Sequence, residues 1–322
     1  MSPAHLRPAA VRVPCSTSNI GAGFDCLGLA LQRHLHARFS PEVSGTLKTE
    51  FRGTLTGLAR EPADGAAFTG APNNLLTRAF TERMRALGVV RITGRLVADS
   101  DIPIARGLGS SAAATIAGIL LADAVLGRAP DPRDALALAT EREGHPDNAA
   151  PALLGGLVAV ARGADGAPVA FRLPLSERIA FVYAAPALEI PTPAARAALP
   201  ASVPHAVAAR GLGRMAALLN GLATADPTLL RLGLLDELHV PYRLPLIPRA
   251  NAAFRAAEAA GAWGATISGS GSGLIALCGP ECASAVLAAM ELELAASGFP
   301  TTAFVAAADA EGARLLEPEL AG

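Results

Sequence analysis

Hydrophobic and polar positions in this chain alternate in some stretches and recur at helical spacing in others. Val11–Pro14 reads as a short strand, followed by a glycine-rich turn over residues 19–23. His34–Pro41 and Thr46–Arg52 read as strands of a meander, and residues 53–72, dense in Gly, Pro and Ala, as a loop. Asn74 is placed to cap a helix over Leu75–Leu87, which Gly88 ends. Val89–Ala98 reads as a strand, and residues 108–126 form the clearest helix, with Gly127 after its end. Asp131 before Pro132 supplies an N-cap and a first-position proline for a helix over 133–142. Gly144–Pro151 reads as a loop.

Strands follow at Leu157–Ala161, Val169–Leu173 and Ile179–Ala184, and helices at 204–223 and 248–260. Two short strands, Ala265–Ser268 and Leu274–Cys278, flank a glycine loop. A helix over Pro280–Ser297 and a strand over Thr302–Ala308 complete the chain. Strands in runs, with helices between and after them, predict an α+β fold rather than a regular βαβ alternation. The Gly/Asp/Pro composition of Gly163–Pro168 marks a boundary, giving an N-terminal nucleotide-binding domain over 1–165 and a C-terminal domain over 166–322. There is no internal repeat.

The 322 residues are 51% hydrophobic, enough for two ordinary cores and against disorder. A formal net charge of −1 lacks the basic excess that a nucleic-acid or membrane-surface partner needs. The longest apolar run, 112–126, is broken by Asp123, short of the roughly 18 residues of a membrane span. Met1–Ala10 carries no apolar run before a cleavage site, so the expected location is cytoplasmic. Cys15, Cys26, Cys278 and Cys282 show no C-x-x-C spacing and read as free thiols in a reducing compartment. A homodimer is the base-rate expectation for assembly.

Lys48 is the only lysine. No lysine follows a glycine loop, which excludes a GxxxxGK[ST] phosphate loop. No Schiff-base or protein-kinase lysine motif surrounds Lys48. A bound phosphate must then be held by backbone N–H groups, arginine or metal.

Pro103-Ile104-Ala105-Arg106-Gly107-Leu108-Gly109-Ser110-Ser111-Ala112-Ala113 lies between a strand and a helix, where such N–H groups are available. The first turn of a helix leaves them unpaired, and the helix dipole favours an anion there. Gly107 and Gly109 allow close approach and positive φ, and Ser110 and Ser111 add hydroxyls for phosphate or magnesium. A Gly-x-Gly-Ser turn with a serine cap is the simpler reading of the glycines alone; the whole string between strand and helix points to phosphate.

The string resembles the central motif of the GHMP kinase superfamily, P-x-x-x-G-L-G-S-S-A-A, and matches it throughout. The resemblance implies an ATP-dependent small-molecule kinase of two domains, the first like ribosomal protein S5 domain 2 and the second ferredoxin-like. It places the triphosphate on residues 103–113 and makes Ser111 a magnesium ligand with a glutamate on the next helix. Glu141 is the expected partner, ahead of Glu143. Asn73 and Asn74 fall where the family contacts the adenine side.

Two further strings narrow the resemblance to the homoserine kinase family, and a third matches the superfamily at large. Val13–Ala30 is similar to that family's P-A-T-S-A-N-L-G-P-G-F-D-x-L-G-L-A, departing at Cys15, Ser16, Thr17, Ser18 and Ala22 but keeping Asn19, Gly21, Gly23 and Asp25. Glu143–Gly156 is similar to E-G-H-P-D-N-x-A-P-A-L-L-G-G. Ile267–Gly273 resembles the superfamily's C-terminal glycine motif, with Ser272 where proline is usual, and is expected to pack near the phosphate loop.

On this resemblance Asn19, Asp25, His145, Asn148, Thr192, Arg196 and Arg243 line the acceptor site. Ser111, Glu141, Asp25 and Asn148 carry catalysis, with ATP and Mg2+ as cofactors. Arg196 and Arg243 are assigned to the acceptor carboxylate, a planar group that arginine binds bidentately. Asp25 is assigned to the acceptor's amine or hydroxyl. It is also one candidate general base; direct attack without a base is the other. The implied reaction is transfer of the γ-phosphoryl of ATP to the side-chain hydroxyl of homoserine. The alternatives are a sister kinase acting on a mevalonate-like, sugar or shikimate hydroxyl, and a non-catalytic binding protein of the same fold.

Overall fold

The computed structural model describes residues 6–58 and 74–317. Most of the expected 53–72 loop, and Asn73, lie outside them. The first run of elements is β1 (Ala9–Ser18), β2 (Leu27–Pro41), β3 (Leu47–Gly53), α1 (Leu75–Ala86), β4 (Gly94–Ser100), α2 (Ser110–Val125), α3 (Pro132–Glu143), α4 (Ala149–Leu154), β5 (Leu157–Arg162) and β6 (Pro168–Leu173). The second is β7 (Ala180–Pro186), α5 (Thr192–Ala197), α6 (His205–Thr224), α7 (Pro227–Leu234), α8 (Val240–Arg243), α9 (Ala250–Ala259), β8 (Gly264–Ile267), β9 (Leu274–Cys278), α10 (Ala283–Ala295), β10 (Thr301–Ala306) and β11 (Arg314–Leu316).

The first sheet has seven strands in the order β11-β1-β2-β4-β3, with β5 and β6 continuing from the other end of β2. Against it lies α2, whose SSAAATIAGILLADAV sequence is buried on nearly every side. An all-apolar helix of this kind needs cover all round; β1 and β2 supply it on one side, α1, α3 and α4 on the others. Gly118 lets α1 approach closely, since a Cβ there would sit 2.5 Å from the Leu76 carbonyl oxygen. The one buried carboxylate of α2, Asp123, is matched by Arg83 at 3.0 and 3.1 Å.

The second sheet runs β10-β7-β9-β8, all antiparallel. Numbered from β7, this is the order 4-1-3-2 of a split βαβ unit, and it has the helix positions of the ferredoxin-like arrangement. The two sheets share one apolar cluster, in which Phe181, Tyr183 and Ile275 meet residues of the first sheet and its helices.

The strand pairing places the change of sheet a few residues after the expected boundary at 165/166. β6 lies beside β5 in the first sheet, so the change of sheet falls between Leu173 and Ala180, and β11 returns to pair with β1. An Asp309 cluster secures that return. His34 contacts the Asp309 carboxylate at 2.8 Å, the backbone N–H groups of Glu311 and Gly312 donate to it, and Arg12 pairs with Glu311. Two local expectations also change, and one helix appears that none named. The 89–98 strand begins only at Gly94. Residues 149–151, expected as the end of a loop, open α4, because Pro151 stands in the first turn, where a missing N–H costs nothing. Asp226 and Pro227 open α7 with the same signal as Asp131 and Pro132.

Candidate active site

The phosphate-loop string follows β4 and ends as the N-terminus of α2. Gly109 is the N-cap, with φ 60°, and no side chain caps the helix. Gly107 has φ +72°, and a Cβ there would lie 2.0 Å from the Ser268 carbonyl oxygen. Ala105 is also held at positive φ, 54°.

The carbonyl groups of residues 105–109 are each engaged by the protein. Arg106 Nη1 donates to Ala105 O, Tyr183 to Arg106 O at 2.6 Å, and Ser268 Oγ to Gly107 O at 2.6 Å. The Ser16 N–H donates to Leu108 O and the Ala113 N–H to Gly109 O. With the carbonyl groups turned into the protein, consecutive N–H groups and the positive end of α2 are left for an anion.

At the same helix start Ser111 Oγ donates to Glu143 Oε2 at 2.8 Å, and Thr115, one turn on, donates to Oε1 at 3.2 Å. Glu141, the expected partner, is exposed and makes no contact with Ser111. The reason is helical geometry. Leu136 and Thr140 are buried on α3, and Glu143 continues that face at i+3 from Thr140. Glu141, two residues before Glu143, is turned about 200° away.

The acceptor side is built on the turn after β1. Asn19 (φ 61°) and Asp25 (φ 55°) both hold left-handed backbone, a concentration of strain that marks functional turns. Asn19 Oδ1 accepts from the Asp25 N–H at 2.8 Å, while its Nδ2 donates to Gly269 O at 2.9 Å. Arg196, on α5 one turn beyond Thr192, donates to both oxygens of Asp25 at 2.9 and 3.0 Å, and both side chains of this pair are 38% exposed. The pair holds Arg196 above the usual guanidinium range, first through the hydrogen bond it donates to Asp25.

Arg243 stands behind this pair and is 2% exposed. Its guanidinium donates only to the carbonyl groups of Ala195, at 3.2 Å, and Gly269, at 3.3 Å, and lies 5.1 Å from the Phe24 ring centroid. No carboxylate among the described residues forms an ion pair with it. Burial, then the charge of Arg196, lowers its pKa. A buried cation hydrogen-bonded only to neutral carbonyl groups, with the charges of Asp25, Asp147 and Asp236 acting on it without direct contact, has N–H groups to offer an anion. Gly269 joins the two halves of the site: its carbonyl accepts from Asn19 and Arg243, and its backbone packs on Gly107.

His145 Nδ1 meets Asp147 Oδ1 at 2.7 Å, leaving Nε2 for a ligand. The hydrogen bond to Asp147 raises the His145 pKa against the opposing effect of burial. Burial pushes Asp147 up, but the hydrogen bond and charge of His145, with the Ser18 hydroxyl, outweigh it and hold the carboxyl low. The stability contributed by His145 is therefore expected to be complete below pH 6.5 and to fade as pH rises through its higher folded value. The Asp147 part is present above pH 3.8 and lost as pH falls through its lower folded value. Urea unfolding of wild type and His145→Gln at pH 5, 7 and 9 checks this; their difference should be largest at pH 5.

A match to the GHMP kinases N terminal domain covers residues 74–156, and one to the GHMP kinases C terminal domain covers 215–296. A homoserine kinase from Synechococcus sp. (strain RCC307) is 38% identical over 304 residues, spanning 94% of this chain and 95% of that protein. The chain belongs to the homoserine kinase family. A second such kinase, from Synechococcus sp. (strain CC9311), is 40% identical over 293 residues, 91% of each chain. The crystal structure of homoserine kinase from Cytophaga hutchinsonii superposes with a TM-score of 0.80 at 28% identity, covering 96% of this chain and 97% of that one.

In this member of the homoserine kinase family, residues 103–113, Ser111, Asn19, Asp25, His145, Asn148, Arg196 and Arg243 come together from distant parts of the chain. Asn148 does so as a joint: its Oδ1 accepts from Ser16 at 3.0 Å and its Nδ2 donates to Ser18 at 2.9 Å, directly behind Gly109. Asn74 caps α1 by accepting from the Leu76 N–H at 2.9 Å. Glu143 was the second choice for the metal, and Thr115, Ser16, Ser18, Ser268 and Tyr183 were given no site role. Glu143 was legible from the Leu136–Thr140–Glu143 spacing. Tyr183 had no signal, because the strand that carries it is far from the loop in sequence.

Proposed function

We propose that this chain transfers the γ-phosphoryl group of ATP to the side-chain hydroxyl of L-homoserine, giving O-phospho-L-homoserine on the route to threonine. The observation that carries the reading is the buried Arg243 without a carboxylate partner, beside the half-exposed Asp25–Arg196 pair. A zwitterionic amino acid answers all three charges. Its ammonium replaces Arg196 on Asp25, and its carboxylate takes the two guanidinium groups. Its side chain then extends past Gly269 toward the phosphate loop.

ATP binds with its β- and γ-phosphates on the N–H groups of residues 107–112. Magnesium fits Ser111 Oγ and the Glu143 carboxylate, which are hard oxygen donors already side by side. The described residues hold no cluster of three or more His, Cys, Asp or Glu that could hold a metal ion. That suits an ion completed by phosphates and water rather than by a protein cage. When bound it neutralises charge on the phosphates. The remaining catalysis is positioning and charge stabilisation. Asp25 orients the acceptor, and His145, kept basic by Asp147, presents Nε2 to it.

A coupled ADP-release assay over an acceptor panel tests the proposal. Homoserine should exceed mevalonate, galactose and shikimate in kcat/KM by at least about 10²-fold, since acceptors lacking the ammonium or carboxylate leave buried charge unanswered. A better turnover of any of those acceptors, or no ADP release with any of them, would defeat it.

A further inference from the structure

The phosphate loop is held from outside as well as from its own strand and helix, and one of the outside contacts comes from the middle of the second sheet. Tyr183 on β7 is fully buried, and its hydroxyl donates to the Arg106 carbonyl at 2.6 Å. Burial keeps that phenol protonated far above neutral pH, so it is a permanent donor. The ring is fixed in turn. It packs on Phe304 of β10 with centroids 4.9 Å apart, and the Arg33 guanidinium covers Phe304 at 3.8 Å. Arg33 also reaches the Asp101 carbonyl at 3.4 Å, at the point where the chain enters the loop. The neighbouring Gly273 makes room for the bond: a Cβ there would lie 2.3 Å from the Arg106 oxygen and 2.7 Å from the Tyr183 oxygen.

A trans peptide points its C=O and its N–H in opposite directions. Anchoring the Arg106 carbonyl therefore sets the direction of the Gly107 N–H. Glycine tolerates either sign of φ, so the Arg106–Gly107 peptide would otherwise flip at little cost. Flipping it would aim a carbonyl oxygen at the bound anion in place of a donor. The next two peptides are anchored in the same way, by Ser268 and by the Ser16 N–H, so Tyr183 completes a run of three.

We propose that Tyr183 is a positioning residue for ATP binding, locking the Arg106–Gly107 peptide with its N–H toward the phosphates. This rests on the loop being the triphosphate site. The full-length protein is titrated with magnesium and a non-hydrolysable ATP analogue by calorimetry. In Tyr183→Phe the analogue's Kd should rise about tenfold, the effect of one hydrogen bond, with the KM for homoserine within about twofold of wild type. Gly273→Ala, which pushes the same two oxygens apart while keeping the tyrosine, should give a similar rise and carries the test if Tyr183→Phe does not fold. Unchanged analogue affinity in the folded variants overturns the proposal. So does a parallel rise in both substrates' constants, which is the mark of general loosening. Backbone amide NMR of the wild type separates the two readings. If the analogue leaves the Gly107–Ala112 signals in place, the loop assignment itself falls, and the role of Tyr183 with it. If those signals move and Tyr183→Phe still binds normally, only the role of Tyr183 falls.

Discussion

Replacing Glu143 by glutamine is expected to lower kcat by a factor on the order of 10²–10³, the usual loss when one charge-stabilising group at a reacting centre is removed. Glu141→Gln should stay within about twofold of wild type, as exposed substitutions do. The contrast follows from α3. Only Glu143 faces the start of α2, where its two oxygens already accept from Ser111 and Thr115. Glutamine keeps the length and one acceptor oxygen, so the fold should hold while the negative charge is lost. Steady-state kinetics at saturating ATP and homoserine, with magnesium titrated, makes the measurement. The Glu143→Gln deficit should shrink at high magnesium concentration if the charge serves to bind the ion. Equal activity of Glu143→Gln and wild type, with the loss appearing in Glu141→Gln, would return the metal role to Glu141.

Arg243→Met should raise the KM for homoserine by about 10²-fold and leave the KM for ATP within about twofold. The guanidinium is buried and meets only the Ala195 and Gly269 carbonyl groups and the face of Phe24. Its charge is thus available to a carboxylate in surroundings where the interaction is little screened. Methionine fills much of the same volume against Phe24 without the charge. Arg243→Lys should recover only a part of the loss, because a point charge does not reproduce a planar, two-pronged donor. Substrate titrations with each KM determined at saturating co-substrate distinguish a lost acceptor contact from a general defect. A KM for homoserine unchanged in Arg243→Met would remove the carboxylate assignment.

Local chemistry in the sequence was sufficient for much of this molecule. The Asn74 and Asp131 caps, the helix after Gly109 and the glycine turn at 19–23 appear where their residues predict them. Such features depend on interactions a few residues apart, so they are legible without a fold. The proposal of phosphate binding at 103–113 is of the same kind: it rests on glycines, serines and a helix start within eleven consecutive positions. The absence of other lysines removed the rival phosphate chemistry outright. The motif strings named, by resemblance, residues such as Asp25 and Arg196 that the fold pairs.

Long-range packing decided the rest. Which of Glu141 and Glu143 meets Ser111 depends on the face that α3 turns to α2. Sequence spacing hints at that face, but only the packed pair of helices settles it. The pairing of Asp25 with Arg196, the burial of Arg243 and the hold of Tyr183 on Arg106 join residues 171, 26 or more, and 77 positions apart. The return of β11 to β1 spans nearly the whole chain. Contacts of this range leave no periodic trace, because they are selected by the summed burial of many elements rather than by any neighbouring residue.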